Sequence, residues 1–184
     1  MNLVSALEDL LTQSPPHGST RVIAIDGRAG AGKTTLAHEL FLGLSSNRLI
    51  TVIHLDEIYD GWSNALGVHL TETLSRIFES LAREESFLLP VYNWATSSFD
   101  SEREISPCDL LILEGVGSSQ AVVREFALAT IWLDIDPALG LQRVLERDGS
   151  GISEKMVHWQ RDEEELFIRD RTRENALFVL STIG

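Results

Sequence analysis

Residues 21–35 read Arg-Val-Ile-Ala-Ile-Asp-Gly-Arg-Ala-Gly-Ala-Gly-Lys-Thr-Thr, and the fold turns on them. Arg21–Asp26 is a short, β-branched apolar run of the kind that forms a strand buried on both faces. It leads straight into a glycine-rich turn, and Thr34–Leu44 then follows the period of a helix. Residues 27–34 are a complete G-x-x-x-x-G-K-T. Glycines at 27, 30 and 32 let the backbone curl so that successive N–H groups point inward at phosphate oxygens. The helix N-terminus adds the positive end of its dipole. In this pattern Lys33 puts a mobile cation on the β- and γ-phosphates, the Thr34 hydroxyl reaches Mg²⁺, and Thr35 lies near the α-phosphate. The expected nucleotide cradle is therefore Gly27, Ala29, Gly30, Ala31, Gly32, Lys33, Thr34 and Thr35, with ATP and Mg²⁺ as the bound species.

Outward from this motif, apolar periodicity alternates between two and 3.6. Met1–Gln13 carries one apolar helix face and is closed by Ser14-Pro-Pro-His-Gly18, so residues 1–18 form an N-terminal helix and connector. Strands are expected at Leu49–Leu55, Asp109–Leu113, Thr130–Leu133 and Ala176–Leu180. Helices are expected at Val68–Glu85, Ser118–Leu128, 137–147 and Ser153–Asp170, with Pro137 in the first turn of its helix. Phe87–Val91 is a short apolar piece followed by a polar loop through Pro107. Residues 148–152, Asp-Gly-Ser-Gly-Ile, form the tip of a short lid. Alternation of this kind implies right-handed crossovers and an α/β fold of three layers, a mainly parallel five-stranded sheet between helices, in one domain over 1–184. Ligands in such sheets bind at the carboxyl ends of the strands.

Composition narrows the function further. The 184 residues are 43% hydrophobic and 23% charged, an ordinary globular balance. A net charge of −13 repels phosphate backbones, so no nucleic-acid partner is expected. One cysteine, Cys108, allows no intrachain disulfide. Neither a signal peptide nor a membrane-spanning run is legible, so the expected setting is the cytoplasm, with a small molecule as partner.

Two carboxylates stand at strand ends. Leu111-Ile-Leu-Glu114-Gly-Val-Gly117 places Glu114 where a carboxylate faces Mg²⁺, as a metal ligand or a holder of water. Asp56 follows Leu49–Leu55 and is the candidate general base for an attacking hydroxyl. The aromatic residues Tyr59, Trp62, Tyr92 and Trp94 lie in loops at the carboxyl ends of strands and suit stacking on a flat or apolar ligand. Trp132, within a strand, is expected in the core. Trp159 and Gln160 either reach the site or pack beneath it. His38, His69 and His158 have no partner at catalytic spacing, and Arg161–Glu165 reads as a solvated helix face.

The stretches GRAGAGKTT (27–35), LDEIYDGW (55–62), VYNW (91–94), LLILEGVG (110–117) and LQRVLERD (141–148) resemble the uridine kinase branch of the P-loop nucleoside and nucleotide kinases. The resemblance implies the P-loop NTPase fold, transfer of the ATP γ-phosphoryl group to a nucleoside hydroxyl, and Asp56 as catalytic base. It also implies that Arg143 and Arg147 are lid arginines embracing the phosphates alongside Lys33. Residues 63–70 depart from the family's histidine-containing stretch, the loop after Val91 has no nearby histidine, and the lid is short. A nucleoside monophosphate or a small sugar acid therefore stands as an alternative acceptor, with Arg83 and Arg103 as available cations. A regulatory nucleotide-binding ATPase without an acceptor is the alternative from another class.

Overall fold

In a computed structural model, residues 2–181 are described. Five strands, β1 (Arg21–Gly27), β2 (Ile50–His54), β5 (Leu110–Glu114), β6 (Ala129–Asp134) and β7 (Phe178–Ser181), form one all-parallel sheet in the order β2-β5-β1-β6-β7. The motif-bearing β1 is the central strand.

The two-residue pleat divides the central strands between two cores. Val22 and Ala24 of β1, with Leu111 and Leu113 of β5, face one side; Ile23 and Ile25, with Leu110 and Ile112, face the other. On the second side lie α1 (Leu3–Leu11) and α2 (Lys33–Leu44), which contribute Leu7, Leu11, Ala37, Leu40 and Leu44. On the first side lie α3 (Val68–Ala82) and α6 (Ser153–Asp170), whose stripes Leu70, Leu74, Ile77, Phe78 and Met156, Trp159, Leu166, Phe167 pack beneath the sheet. Each such apolar side chain removed from water contributes about 1.5–3 kcal/mol. Helix α5 (Pro137–Asp148) starts from an Asp136 cap whose carboxylate accepts the Ala138 and Leu139 N–H groups. It ends at Gly149, and a single 3-10 turn, Ser150–Ile152, joins it to α6 where the lid tip is expected.

Two expectations need correction. Residues 92–107 are not a polar loop. Phe87–Asn93 (β3) and Ser98–Ile105 (β4) pair antiparallel as a hairpin outside the main sheet. Phe87, Leu89 and Ile105 anchor its base in the core, while the outer strand is so charged (Ser-Glu-Arg-Glu, 101–104) that its alternation is masked. The helix expected over Ser118–Leu128 is only α4, Ala121–Arg124. The segment before it is spent on side-chain and backbone contacts to Asp26, which fix it in a non-helical course.

Candidate functional site

The loop between β1 and α2 is held by its own backbone. At Gly30, where φ is +79°, a Cβ would collide with the Gly140 carbonyl of α5; a Cβ on Gly140 would in turn lie 2.6 Å from the Ala29 carbonyl. Loop and helix thus meet backbone to backbone, a contact that needs glycine on both sides. Lys33 folds back over the loop and donates from Nζ to the carbonyls of Gly27 (2.9 Å) and Arg28 (2.8 Å). Burial pushes its pKa below the ordinary lysine value, opposed by the carboxylates of Asp26, Glu114, Glu163 and Asp56.

Asp26, the last side chain before the loop, is fully buried. Its Oδ1 accepts the N–H groups of Gly27 (2.7 Å) and Gly117 (2.9 Å), and Oδ2 accepts the N–H and hydroxyl of Ser119, both at 2.9 Å. One carboxylate therefore locks the phosphate-type loop to the segment leaving β5. Burial raises its pKa and the four donors oppose that rise. The sequence reading passed over Asp26, although a lone acidic residue closing a buried strand is a signal.

Glu114 ends β5, and its Oε1 accepts the Thr34 hydroxyl at 3.0 Å and lies 2.6 Å from His54 Nδ1. His54, at the end of β2, was not singled out from sequence because its partner lies sixty residues away. That contact raises the His54 pKa above 6.5. Asp56 sits two residues beyond the strand, in the 3-10 turn Leu55–Glu57. Burial first, and the nearby Glu114 charge second, hold its carboxyl above the usual aspartate range.

These groups open on a cleft of about 590 Å³ at the carboxyl ends of the strands. Ala29, Gly30, Gly32, Lys33, Thr34 and Thr35 line one side with Glu114, Arg143 and Arg147. Gly27 and Ala31 do not line it; Gly27 abuts Leu133 and Ala31 is buried. Arg147 is paired with Asp148 through two 2.7 Å hydrogen bonds.

The other side is Asp56, Tyr59, Trp62, Trp94, Met156 and Trp159. Trp62 meets Trp94 and Trp159 edge to face, with centroids 5.6 and 5.9 Å apart. Trp94, at the tip of the hairpin, donates its indole N–H to the Asp56 carbonyl at 3.0 Å. Tyr92 is displaced from the expected set. It packs against Trp94 and Phe99, with its hydroxyl under Gly61, and does not line the cleft; Tyr92 is still paired in β3, whereas Trp94 has entered the hairpin turn. Arg103 reaches Glu57 and the Val52 carbonyl, and Arg83 pairs with Glu85, so neither faces the cleft. Trp132 lies in the core, as expected. Gln160 caps back onto the Pro137 carbonyl.

The expected solvated face of α6 is broken at Glu163. That residue is 1% exposed and lies on the stripe of Met156, Trp159, Leu166 and Phe167. Its Oε2 accepts the Ala29 N–H at 3.0 Å and the Trp159 indole N–H at 3.2 Å, while Oε1 faces Arg28 at 3.3 Å. Arg28 also pairs with Glu164. Burial pushes the Glu163 carboxyl above its ordinary pKa.

No protein-family model matches the chain. Among curated proteins, a chloroplastic uridine/cytidine kinase of Arabidopsis thaliana is 26% identical over 142 residues, covering 69% of this chain and 29% of its own length. A uridine kinase of Lactobacillus johnsonii is 29% identical over 146 residues, covering 69% of this chain and 67% of that protein. The chain thus spans under a third of the plant relative. A solved structure described as a possible uridine kinase from Bacillus stearothermophilus superposes with a TM-score of 0.68 at 21% identity, covering 96% of both chains.

Proposed function

We propose that this chain, similar in sequence to uridine kinases and built on the fold of a P-loop kinase, transfers the γ-phosphoryl group of ATP to a hydroxyl of a small molecule, with a nucleoside as the acceptor. The observation that supports this reading is the convergence of Lys33, Thr34, Glu114 and Asp56 on one cleft whose far wall is aromatic.

The donor set fits Mg²⁺. The Thr34 hydroxyl and the Glu114 carboxylate present two hard oxygens 3.0 Å apart, and no cluster of three or more His, Cys, Asp or Glu that could hold a metal occurs among the described residues. Mg²⁺ is commonly held in this way, by one or two side chains together with phosphates and water. When bound it would offset charge on the phosphate oxygens.

The chain's own groups divide the remaining work. Loop N–H groups and Lys33, released from its two carbonyls, orient the β- and γ-phosphates. Asp56 accepts the proton of the acceptor hydroxyl as its oxygen bonds to the γ-phosphorus and the bond to the β,γ-bridging oxygen breaks, leaving ADP. Its raised pKa makes it a stronger base than a solvated aspartate. Arg143 and Arg147 bear on the charge spreading over the transferred group. Aromatic rings suit a flat base, and the engagement of Arg103 and Arg83 elsewhere favours an acceptor without a phosphate of its own. The reaction belongs in the cytoplasm, where ATP and nucleosides are supplied.

The test is ATP–Mg turnover against nucleosides, nucleoside monophosphates and small sugars, reading phosphorylated product. Product formed in step with ADP for one nucleoside supports the reading. Slow ATP hydrolysis indifferent to every acceptor overturns it in favour of a regulatory ATPase. Asp56→Asn should lower transfer by roughly 10²–10⁴-fold while leaving MgADP affinity unchanged; an unchanged rate removes Asp56 from the chemistry.

A further inference from the structure

The buried Glu163 lies outside the catalytic set, yet its contacts join the two halves of the cleft. A single oxygen, Oε2, takes both the N–H of Ala29 in the phosphate-type loop and the indole N–H of Trp159 in the aromatic wall. Trp159 in turn meets Tyr59 and Trp62 edge to face at 5.3 and 5.9 Å. On its other oxygen Glu163 holds Arg28, which neighbours Ala29 in the loop. A carboxylate placed only to stabilise α6 would have no need of a loop N–H, and an apolar residue on this stripe would pack with less desolvation cost.

We propose that Glu163 is a positioning residue that couples the aromatic acceptor wall to the phosphate-binding loop, so that the arrangement of one sets the affinity of the other. The proposal rests on the nucleotide and acceptor sides assigned above. Sharing one oxygen makes the two donors interdependent: a shift of the Trp159 ring moves Oε2, and Oε2 carries the Ala29 amide with it. The backbone N–H groups of Gly30 and its successors follow, because Ala29 precedes them in a loop already pinned to Gly140. Coupling of this kind is reciprocal, so a ligand stacking on the wall and a nucleotide in the loop bias each other equally.

A thermodynamic cycle on MgADP binding tests this without knowledge of the acceptor. The dissociation constant is measured by calorimetry for the native chain, Trp159→Phe, Glu163→Ala and the double variant. Trp159→Phe keeps the ring and removes only the indole N–H, and is expected to weaken MgADP binding about threefold in the native background. In the Glu163→Ala background the same change should have no effect, because the shared oxygen is gone. Glu163→Gln, whose amide oxygen can accept both N–H groups, should restore the sensitivity to Trp159→Phe. Equal effects of Trp159→Phe in both backgrounds, or no effect in either, would overturn the coupling and leave Glu163 a prop for the loop. Should Glu163→Ala fail to fold, Glu163→Met, which fills the same space without an acceptor oxygen, takes its place: loss of the Trp159→Phe effect in that background upholds the shared oxygen, and an undiminished effect refutes it. Failure of the native chain to bind MgADP at all would strike the nucleotide assignment itself, a separate outcome from additivity.

Discussion

The two sides of the cleft are built on opposite plans. The phosphate side is built on one continuous segment, 26–35, clamped by Asp26, by Gly140 and by Glu163, with Glu114, Arg143 and Arg147 beside it. The aromatic side is assembled from three distant pieces, Tyr59 to Trp62, the hairpin tip at Trp94, and Met156 with Trp159. The first has its polar groups paired with fixed partners far along the chain, Gly117 and Ser119 for Asp26 and Glu163 for Ala29, and little room to move. The second is held by ring edges, the indole N–H groups of Trp94 and Trp159 and the Tyr59 hydroxyl, and Trp94 remains 41% exposed. A site arranged this way would hold the proposed phosphate loop firmly and leave the proposed acceptor wall adjustable.

Apart from Asp56 itself, breaking the rigid side should have the largest effect. Lys33→Ala removes the mobile cation of the loop and is expected to reduce ATP turnover on the order of 10²–10³-fold and to weaken MgADP binding, read by coupled assay and calorimetry. Full activity would remove the loop from the mechanism. Gly140→Ala sharpens the same point through the backbone alone. Alanine is the better helix former, yet here the added methyl meets the Ala29 carbonyl. A loss of about 1–3 kcal/mol of stability is expected in denaturant titration, together with weaker MgADP binding. A gain in stability would mean that α5 and the loop separate at no cost.

On the adjustable side, Trp94→Ala should leave MgADP affinity within about twofold and raise KM for the acceptor roughly tenfold, through loss of ring contact. An equal effect on both ligands would erase the distinction between the two sides. The smallest effect is expected at His54. Its pKa is raised in the folded chain, so the stability from its contact with Glu114 is fully present below pH 6.5 and is lost as pH climbs through the higher folded-state value. For this half-exposed ring the contribution is under about 1 kcal/mol. The difference in unfolding free energy between the native chain and His54→Gln should therefore shrink from pH 6 to pH 9.

The same contrast explains what could be read in the sequence. The parallel sheet, the order of its segments and the phosphate-type loop are encoded locally, in 21–35 and in apolar runs such as Leu110–Leu113, and they were legible. The β3–β4 hairpin was not, because the charges of 101–104 hide its alternation. Tyr92 was grouped with Trp94 by proximity in the chain, but Tyr92 is still paired in β3 while Trp94 has entered the turn, and only Trp94 lines the cleft. Glu163 was read with its charged neighbours 161–165, although its spacing from Trp159 and Leu166 already placed it on the apolar stripe. His54 and Asp26 act through partners far along the chain, beyond the reach of any short window.

The backbone contact between Gly30 and Gly140 has a mechanical consequence. It fixes α5 at one point, with Arg143 and Arg147 lying about 4.5 and 10.5 Å farther along the axis at 1.5 Å per residue. The helix is a lever with its fulcrum against the phosphate-type loop. Tilting it about that fulcrum carries Arg147 roughly twice as far as Arg143. Arg147, drawn aside by Asp148, therefore feels any tilt of α5 more than Arg143 does, while the loop at the fulcrum stays where it is.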